Sequence, residues 1–213
     1  MKIFIDSADV AEIQRAWETG LVDGVTTNPS LISKSGRKPT DVYAELQQMG
    51  IKDISMEVYA SSNWQEMYRE GIELAELFSS ATIKLPMTVA GLKACRTFPD
   101  DVRTNVTLIF NAAQALLAAK AGATYVSPFV GRIDDQGYAG LEVVKSIANL
   151  FISAGLGTQV LAASIRTPHR AVRSYYNGAD VVTMPPNVFW DMYKHCLTDQ
   201  GLQIFEQAYA TTS

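Results

Sequence analysis

One lysine stands inside a run of residues that is otherwise typical of a buried strand. In ATIKLP, from Ala81 to Pro86, apolar residues flank Lys84 on both sides. A cation in such a strand is costly unless it is paired or neutralised, and burial favours the free amine, which is a nucleophile. Lysine amines attack carbonyl groups to form Schiff bases, whose iminium is an electron sink for breaking an adjacent carbon–carbon bond. Taken alone, Lys84 could also be a buried ion-pair partner of Asp6 or Glu57.

Schiff-base chemistry also needs groups that carry protons, and three candidates occur in other strand-like runs. Asp6 ends KIFID, Glu57 lies in ISMEVYA and Thr107 lies in TNVTLIF. Side chains alternate between the two faces of a strand, and in each run the polar candidate lies on the face opposite the neighbouring apolar residues. We therefore predict that these three side chains and the Lys84 amine face one pocket, and that the chemistry requires no metal and no cofactor.

The same alternation places polar residues of seven strand-like runs on one common face. A strand-end Asp, Asn or Ser taken alone is more often a turn former or a helix cap, so only the agreement between strands favours a functional interpretation. Besides the residues named above, this face is predicted to carry Thr26, Asn28, Ser55, Thr82, Asn105, Ser127, Phe129, Ser164 and Arg166.

The elements that must position these residues alternate regularly along the chain. Short runs rich in apolar and β-branched residues are followed by amphipathic helical patterns, which is typical of a parallel α/β barrel. We predict one (β/α)8 TIM barrel domain over residues 1–213, with an additional C-terminal helix over residues 198–210. An open doubly wound sheet is the alternative, but GVTTNPS lacks the GxGxxG phosphate turn that it would require. The predicted strands cover residues 2–6, 24–28, 54–60, 81–86, 104–110, 124–130, 159–164 and 180–185.

The composition argues against several classes of function. A net charge of −4 and a pI near 5.2 offer no basic face for nucleic acid. No run approaches the roughly 18 apolar residues of a membrane span, so we expect no membrane partner. Cys95 and Cys196 lie in helical segments, which is typical of a reduced, cytoplasmic protein. With only His169 and His195, and no HExxH pattern, a histidine-built zinc site is not expected.

Six motifs, in order along the chain, closely resemble those of the small transaldolase family, which includes the fructose 6-phosphate aldolases. These motifs are FIDSAD, GVTTNPSLI, IKLPMTVAGLKA, TNVTLIF, ATYVSPFVGRIDD and VLAASIRTP, and the resemblance covers residues 1–185. It implies a barrel enzyme of the pentose phosphate pathway that transfers a dihydroxyacetone unit between sugar phosphates.

The resemblance also implies a role for each catalytic candidate. Lys84 matches the Schiff-base lysine, which adds to the C2 ketone of fructose 6-phosphate or sedoheptulose 7-phosphate. Asp6 matches the aspartate that takes the C4 hydroxyl proton as the C3–C4 bond breaks. Glu57 and Thr107 match the pair that holds a catalytic water for proton transfer.

The remaining matched positions are expected to bind the substrate. Asn28 and Asn105 match amides that hold hydroxyls of the three-carbon unit, and Ser127 with Phe129 lines the same pocket. A sugar phosphate also needs placed basic residues in a protein of net negative charge. That phosphate cradle is expected to consist of Arg132, Ser164 and Arg166.

Two positions favour transfer over simple cleavage. The aldolase members of the family resemble this chain but carry Gln and Tyr where it carries Glu57 and Phe129. A phenylalanine cannot position a water by hydrogen bonding, whereas a tyrosine hydroxyl can. We therefore expect a transaldolase, with a fructose 6-phosphate aldolase or a non-catalytic sugar-phosphate-binding barrel as alternatives. The family also implies a homo-oligomer, a pentamer or a decamer, in which the C-terminal helix crosses to a neighbouring subunit.

Overall fold

The computed structural model of the protein describes residues 1–60 and 62–211. Eight parallel strands pair in chain order and close into a barrel, and each strand is followed by at least one helix. The predicted (β/α)8 TIM barrel is therefore confirmed, and the open sheet is excluded. The strands are Lys2–Asp6 (β1), Gly24–Thr26 (β2), Ile54–Glu57 (β3), Ala81–Pro86 (β4), Thr104–Ile109 (β5), Tyr125–Pro128 (β6), Gln159–Ala162 (β7) and Val181–Met184 (β8).

Helices surround the barrel, and the additional C-terminal helix is present. That last helix begins at Cys196, two residues before its predicted start. No helix of the described residues is long and apolar enough to cross a membrane. The helices are Val10–Trp17 (α1), Pro29–Ser35 (α2), Pro39–Gln48 (α3), Trp64–Leu77 (α4), Val89–Thr97 (α5), Ala112–Lys120 (α6), Val130–Asp135 (α7), Gly140–Ala154 (α8), Pro168–Tyr176 (α9), Pro186–Asp191 (α10) and Cys196–Ala210 (α11).

Several strands end earlier than predicted because the next residues begin helices. The predicted second strand extends to Asn28, but the Asn28 side chain caps α2 by accepting a hydrogen bond from the Leu31 N–H at 3.0 Å. The predicted sixth strand extends to residue 130, but β6 ends at Pro128 and α7 begins at Val130. These short connections bring the first turns of the helices to the mouth of the barrel.

The hydrophobic core has an outer and an inner part. Outward-facing strand residues such as Ile54, Met56 and Ile83 are fully buried beneath the helices. Inside the barrel, Phe4 packs with a smaller group that consists of Tyr125, Leu161, Ala163 and Val181. A Cβ atom at Gly24 would lie 2.7 Å from the Phe4 ring, so glycine makes room for this filling. The barrel interior below the mouth is thus packed with side chains.

A buried polar cluster lies at the opposite, amino-terminal end of the barrel. Asp53 accepts hydrogen bonds from Thr82 Oγ1 and from the Tyr125 hydroxyl, each at 2.7 Å. Arg103 Nη1 lies 3.6 Å from the same carboxylate. Burial, followed by the neighbouring Asp53 charge, raises the pKa of Tyr125. Thr82 therefore faces the interior as predicted but has a structural partner there.

The predicted alternation along the fifth strand is wrong beyond Thr107. Because Thr107 faces inward, strict alternation would place Leu108 and Phe110 towards the helices, yet Ile109 is the buried residue and Phe110 is 39% exposed. Leu108 has φ of 63°, and the register of β5 against β6 shifts between Val106 and Ile109. A left-handed residue of this kind inserts an extra position into a strand and exchanges the two faces after it.

A second left-handed residue ends the alternation after β7. Val160 and Ala162 pack in the outer core, whereas Leu161 and Ala163 face the interior. Strict alternation would turn Ser164 outward, but its φ of 58° redirects the chain. Ser164 therefore reaches the mouth through a backbone turn rather than through strand parity.

Candidate active site

Lys84 lies near the carboxyl end of β4 and is 5% exposed. Its Nζ atom lies 2.9 Å from Glu57 Oε2, and it donates a hydrogen bond to the Thr27 carbonyl oxygen at 2.9 Å. Glu57 is the residue directly opposite Lys84 in the pairing of β3 with β4. Because an ammonium group has three donors, one N–H remains for the cavity that Lys84 lines.

Asp6 ends β1 on the same cavity. Thr26, its partner in the register of β1 with β2, donates a hydrogen bond from Oγ1 to Asp6 Oδ1 at 2.7 Å. The pKa of Asp6 is raised by burial, against the lowering effects of the Lys84 charge and the Thr26 hydrogen bond; the Glu57 charge raises it further. A carboxylate with a raised pKa is suited to accept and return a proton close to neutral pH.

Two strands present a fully buried amide and hydroxyl group side by side. Ser127 Oγ donates a hydrogen bond to Asn105 Oδ1 at 2.6 Å. Asn105 Nδ2 in turn donates to Ser55 Oγ at 3.1 Å. These contacts orient the Asn105 amide, which lines the cavity together with Ser127 and the helix-capping residue Asn28.

Thr107 lies one position before the left-handed Leu108. It is 1% exposed, and its hydroxyl has no hydrogen-bond partner within the described part of the chain. Most buried hydroxyl groups are satisfied, so this one is a strong candidate to bind a substrate or water oxygen. Thr107 and Glu57 do not line the cavity that Lys84 and Asp6 line.

Basic residues stand on one side of the mouth. The Arg132 guanidinium lies over the Phe129 ring, 4.9 Å from its centroid, and has no ion-pair partner among the residues described. Arg166 forms a bidentate ion pair with Asp135 and does not line the cavity. Ser164 lines the cavity beside Arg132.

Glycine at position 131 allows these parts of the mouth to approach each other. The Gly131 N–H donates to the Ser164 carbonyl oxygen at 3.0 Å. A Cβ atom at Gly131 would lie 2.3 Å from that oxygen and 2.9 Å from Arg166 Nε. Any larger residue would push α7, and Arg132 with it, away from Ser164.

The cavity contains residues to which the sequence patterns assign no function. Leu161 and Ala163 form part of its wall, and Thr183 contributes a hydroxyl group beside that of Thr26, which was predicted on the inward face. Thr183 is the only polar residue of the β8 sequence VVTM and shares strand parity with the inward-facing Val181. That single polar position is the signal that identifies it.

Other features of the described residues are weaker candidates for a site. A groove of about 640 Å³, larger than the cavity that Lys84 lines, lies between α1 and α2. Its Arg37 and Glu45 are paired with each other. Its basic residues, Lys34 and Arg37, are exposed, in contrast to the buried Lys84. No group of three or more metal-ligating side chains occurs in residues 1–60 and 62–211.

Comparison with known proteins identifies the family of the chain. The family model described as transaldolase/fructose-6-phosphate aldolase matches residues 3–213. A protein of Caulobacter vibrioides named "Probable transaldolase" is 48% identical over 213 residues, which cover all of this chain and 98% of that protein. A Geobacter metallireducens protein with the same name is 51% identical over 206 residues, which cover 96% of each chain.

A solved structure shares the fold at much lower sequence similarity. Thiamine phosphate pyrophosphorylase from Pyrococcus furiosus superposes with a TM-score of 0.59 over 86% of this chain and 85% of that one, at 13% identity. This similarity concerns the barrel alone. From the whole-length family match and the close relatives, the chain belongs to the transaldolase/fructose-6-phosphate aldolase family.

Proposed function

We propose that the protein is a transaldolase that transfers a dihydroxyacetone unit from fructose 6-phosphate to erythrose 4-phosphate. Its family consists of enzymes of the aldolase and transferase type, and relatives about half identical in sequence are named "Probable transaldolase". The products are sedoheptulose 7-phosphate and glyceraldehyde 3-phosphate, which places the reaction in the pentose phosphate pathway. The central observation is one buried lysine ion-paired to Glu57 and sharing its cavity with Asp6.

The first half of the reaction forms a Schiff base. Glu57, at 2.9 Å, takes the proton of the Lys84 ammonium group, directly or through a water that it holds with Thr107. The free amine attacks the C2 carbonyl carbon of fructose 6-phosphate, and the resulting carbinolamine loses water to give an iminium. The same acid–base groups return the proton that the departing hydroxyl group needs.

The second half breaks and remakes one carbon–carbon bond. Asp6 takes the proton of the C4 hydroxyl group, the electrons of the C3–C4 bond flow into the iminium, and glyceraldehyde 3-phosphate leaves. The enamine that remains on Lys84 attacks the aldehyde of erythrose 4-phosphate, and Asp6 returns its proton to the new hydroxyl group. Hydrolysis of the new iminium releases sedoheptulose 7-phosphate.

The remaining polar groups serve substrate binding in this proposal. Asn28, Asn105 and Ser127 hold hydroxyl groups of the three-carbon unit. Arg132 is free to bind the phosphate, because its guanidinium has no ion-pair partner in the described residues. Ser164 and Arg166 complete the cradle, and Arg166 must exchange Asp135 for the phosphate.

Phe129 supports transfer over an aldolase function. Its ring stands between Arg132 and Phe110, and it offers the intermediate an apolar surface. Without a hydroxyl group at this position, no side chain aligns a water molecule to hydrolyse the bond between Lys84 and the three-carbon unit. The enamine therefore persists until an acceptor aldehyde arrives.

A trapping experiment tests the covalent step. Fructose 6-phosphate with borohydride should add a stable mass to the peptide that contains Lys84 and should inactivate the enzyme. Lys84→Met should show neither effect. Lys93→Met is the matched control, because Lys93 is an exposed lysine on α5 that contacts the Trp64 ring. An active enzyme with no added mass at Lys84 would refute the mechanism.

A coupled assay tests the overall reaction. Fructose 6-phosphate and erythrose 4-phosphate should give sedoheptulose 7-phosphate and glyceraldehyde 3-phosphate in equal amounts. Free dihydroxyacetone as the main product would instead identify an aldolase. Binding of fructose 6-phosphate without either product would identify a sugar-phosphate-binding barrel.

We also propose that the protein forms a homo-oligomer and that it works in the cytoplasm, which is a reducing compartment. α11 has no buried residue, and four of its apolar side chains, Leu197, Leu202, Ile204 and Phe205, are 54–67% exposed. An apolar groove of about 490 Å³ on the same chain is lined by Ile3, Val172, Tyr175, Tyr176, Met192 and Met1. A second copy of the chain is the occupant that explains both surfaces. Cys95 and Cys196 are free thiols, which is consistent with a reducing compartment.

A further inference from the structure

Two threonines connect the eighth strand to the candidate acid–base residue Asp6. Thr26 Oγ1 lies 2.7 Å from Asp6 Oδ1 and 2.6 Å from Thr183 Oγ1. Each threonine is 2% exposed, and both line the cavity. They belong to β2 and β8, the two strands that pair with β1 on either side.

The number of available protons gives this chain of hydrogen bonds a direction. An ionised carboxylate only accepts hydrogen bonds, and a threonine hydroxyl group has a single proton to donate. Thr26 uses its proton on Asp6, so the proton in the contact between the two threonines belongs to Thr183. The chain therefore runs from Thr183 to Thr26 to Asp6.

We propose that Thr183 is a positioning residue for the retro-aldol step, because its hydroxyl group holds Thr26 as the donor that orients Asp6. This inference rests on the acid–base role that the proposed function gives to Asp6. With Oδ1 engaged by Thr26, Oδ2 is the oxygen that takes the proton of the substrate C4 hydroxyl group. The electrons of the C3–C4 bond pass into the iminium, the proton returns to the new hydroxyl group on addition, and both threonines keep their own protons.

The surroundings of Asp6 make this donation important. The charged groups that face it are Lys84 on β4 and Glu57 on β3, while β2 and β8 contribute only the two hydroxyl groups. Burial opposes ionisation of Asp6, and the Thr26 hydrogen bond favours it. Successive hydrogen bonds polarise one another in a buried site, so a donor behind Thr26 strengthens its bond to the carboxylate.

Loss of the Thr183 hydroxyl group should therefore weaken an interaction that favours the ionised form. The Thr26 hydroxyl group could then rotate away from Asp6, and the pKa of Asp6 would rise. Since the reaction needs the carboxylate as a base, the acidic limb of the pH profile of kcat/KM should move to higher pH.

The experiment compares Thr183→Val, which keeps the shape of the side chain, with Thr183→Ser, which keeps the hydroxyl group. Two readouts are taken: the pH profile of kcat/KM for transfer, and the titration of the Asp6 carboxyl carbon by ¹³C NMR, assigned with Asp6→Asn. We expect an upward shift of roughly 0.5 pH unit for Thr183→Val and none for Thr183→Ser. Thr26→Val, which removes the direct donor, should shift both readouts by about 1 to 2 pH units.

Thr82→Val is the matched control, because Thr82 is also a buried threonine that donates to a carboxylate, but at the other end of the barrel. It should leave the Asp6 titration in place. A folded Thr183→Val variant whose rate falls equally at every pH, with an unmoved Asp6 titration, would overturn the inference. The NMR titration needs no substrate, so a shifted titration together with absent borohydride trapping would reject the proposed transaldolase and still support the hydrogen-bond chain.

Discussion

Lys84 and Glu57 face each other across the β3–β4 pair, and their charged atoms are 2.9 Å apart in a site where the two side chains are only 7% and 17% exposed. This pair explains how a lysine is accommodated in an otherwise apolar strand. Lys84 can therefore be both a member of a structural ion pair and a nucleophile with Glu57 as its base, because one contact serves both purposes.

Glu57→Gln should slow formation of the Schiff base. Glutamine keeps the length and shape of the side chain but does not accept the ammonium proton, so we expect a loss of about 10²-fold in the rate of borohydride trapping. Glu45→Gln is the control, since Glu45 forms an exposed ion pair with Arg37. Equal trapping rates for wild type and Glu57→Gln would show that another group activates the lysine.

Phe129→Tyr should increase the release of free dihydroxyacetone from fructose 6-phosphate. The new hydroxyl group can align a water beside the intermediate, so the partition between transfer and hydrolysis should shift several-fold towards hydrolysis. Phe110→Tyr adds a hydroxyl group to the neighbouring ring, which is 39% exposed, and should change the partition less. A folded Phe129→Tyr enzyme with unchanged release would contradict this account of specificity.

Asp6→Asn should stabilise the fold at neutral pH while it removes about 10²-fold or more of the activity. The folded-state pKa of Asp6 lies above its ordinary value of 3.8, so its favourable contribution is present at low pH and is lost as pH rises through the raised pKa. The gain from asparagine should therefore be larger at pH 7.5 than at pH 3.5. Urea unfolding of both proteins at both pH values measures the difference, and a gain that is independent of pH would disprove it.

The left-handed backbone at position 108 should discriminate between substitutions of similar size. Asparagine tolerates this conformation, whereas a β-branched residue does not. We expect Leu108→Val to be less stable than Leu108→Asn by about 1 to 2 kcal/mol in urea unfolding, although valine is the more apolar residue. A more stable valine variant would mean that packing, rather than backbone conformation, decides the residue here.

Phe205→Glu should weaken self-association without unfolding the subunit. Phe205 is 67% exposed within its own chain, so its apolar surface is available for burial in another copy, with a value of about 1.5 to 3 kcal/mol per side chain. Sedimentation velocity should show smaller species for Phe205→Glu and the wild-type distribution for Gln203→Glu on the same helix. Identical sedimentation of all three proteins would exclude α11 from the interface.

Much of the barrel could be predicted from the sequence because it depends on periodicity. Buried parallel strands alternate with helices, and strand parity directs Asp6 and Lys84 to the interior wherever the backbone stays regular. The observed bounds of β1 and β4, which carry Asp6 and Lys84, equal the predicted ones.

The rest of the barrel mouth depends on backbone conformations that the alternation of side chains along a strand does not predict. Leu108 and Ser164 are the described non-glycine residues with positive φ, and each changes which side chains face the mouth. Leucine and serine have no preference for a left-handed backbone, so neither residue type predicts this conformation; the surrounding structure imposes it. The Asp135 partner of Arg166 likewise follows from the unpredicted helix α7.

The packed interior of the barrel has a kinetic consequence. Phe4, Tyr125, Leu161 and Val181 fill the barrel below the cavity, so the mouth is the entrance that the described residues leave open. For the proposed transfer, the departing aldehyde and the incoming acceptor must use this entrance one after the other, while the three-carbon unit stays attached to the enzyme. Initial rates should thus follow a ping-pong scheme, with parallel lines in double-reciprocal plots as the second sugar phosphate is varied.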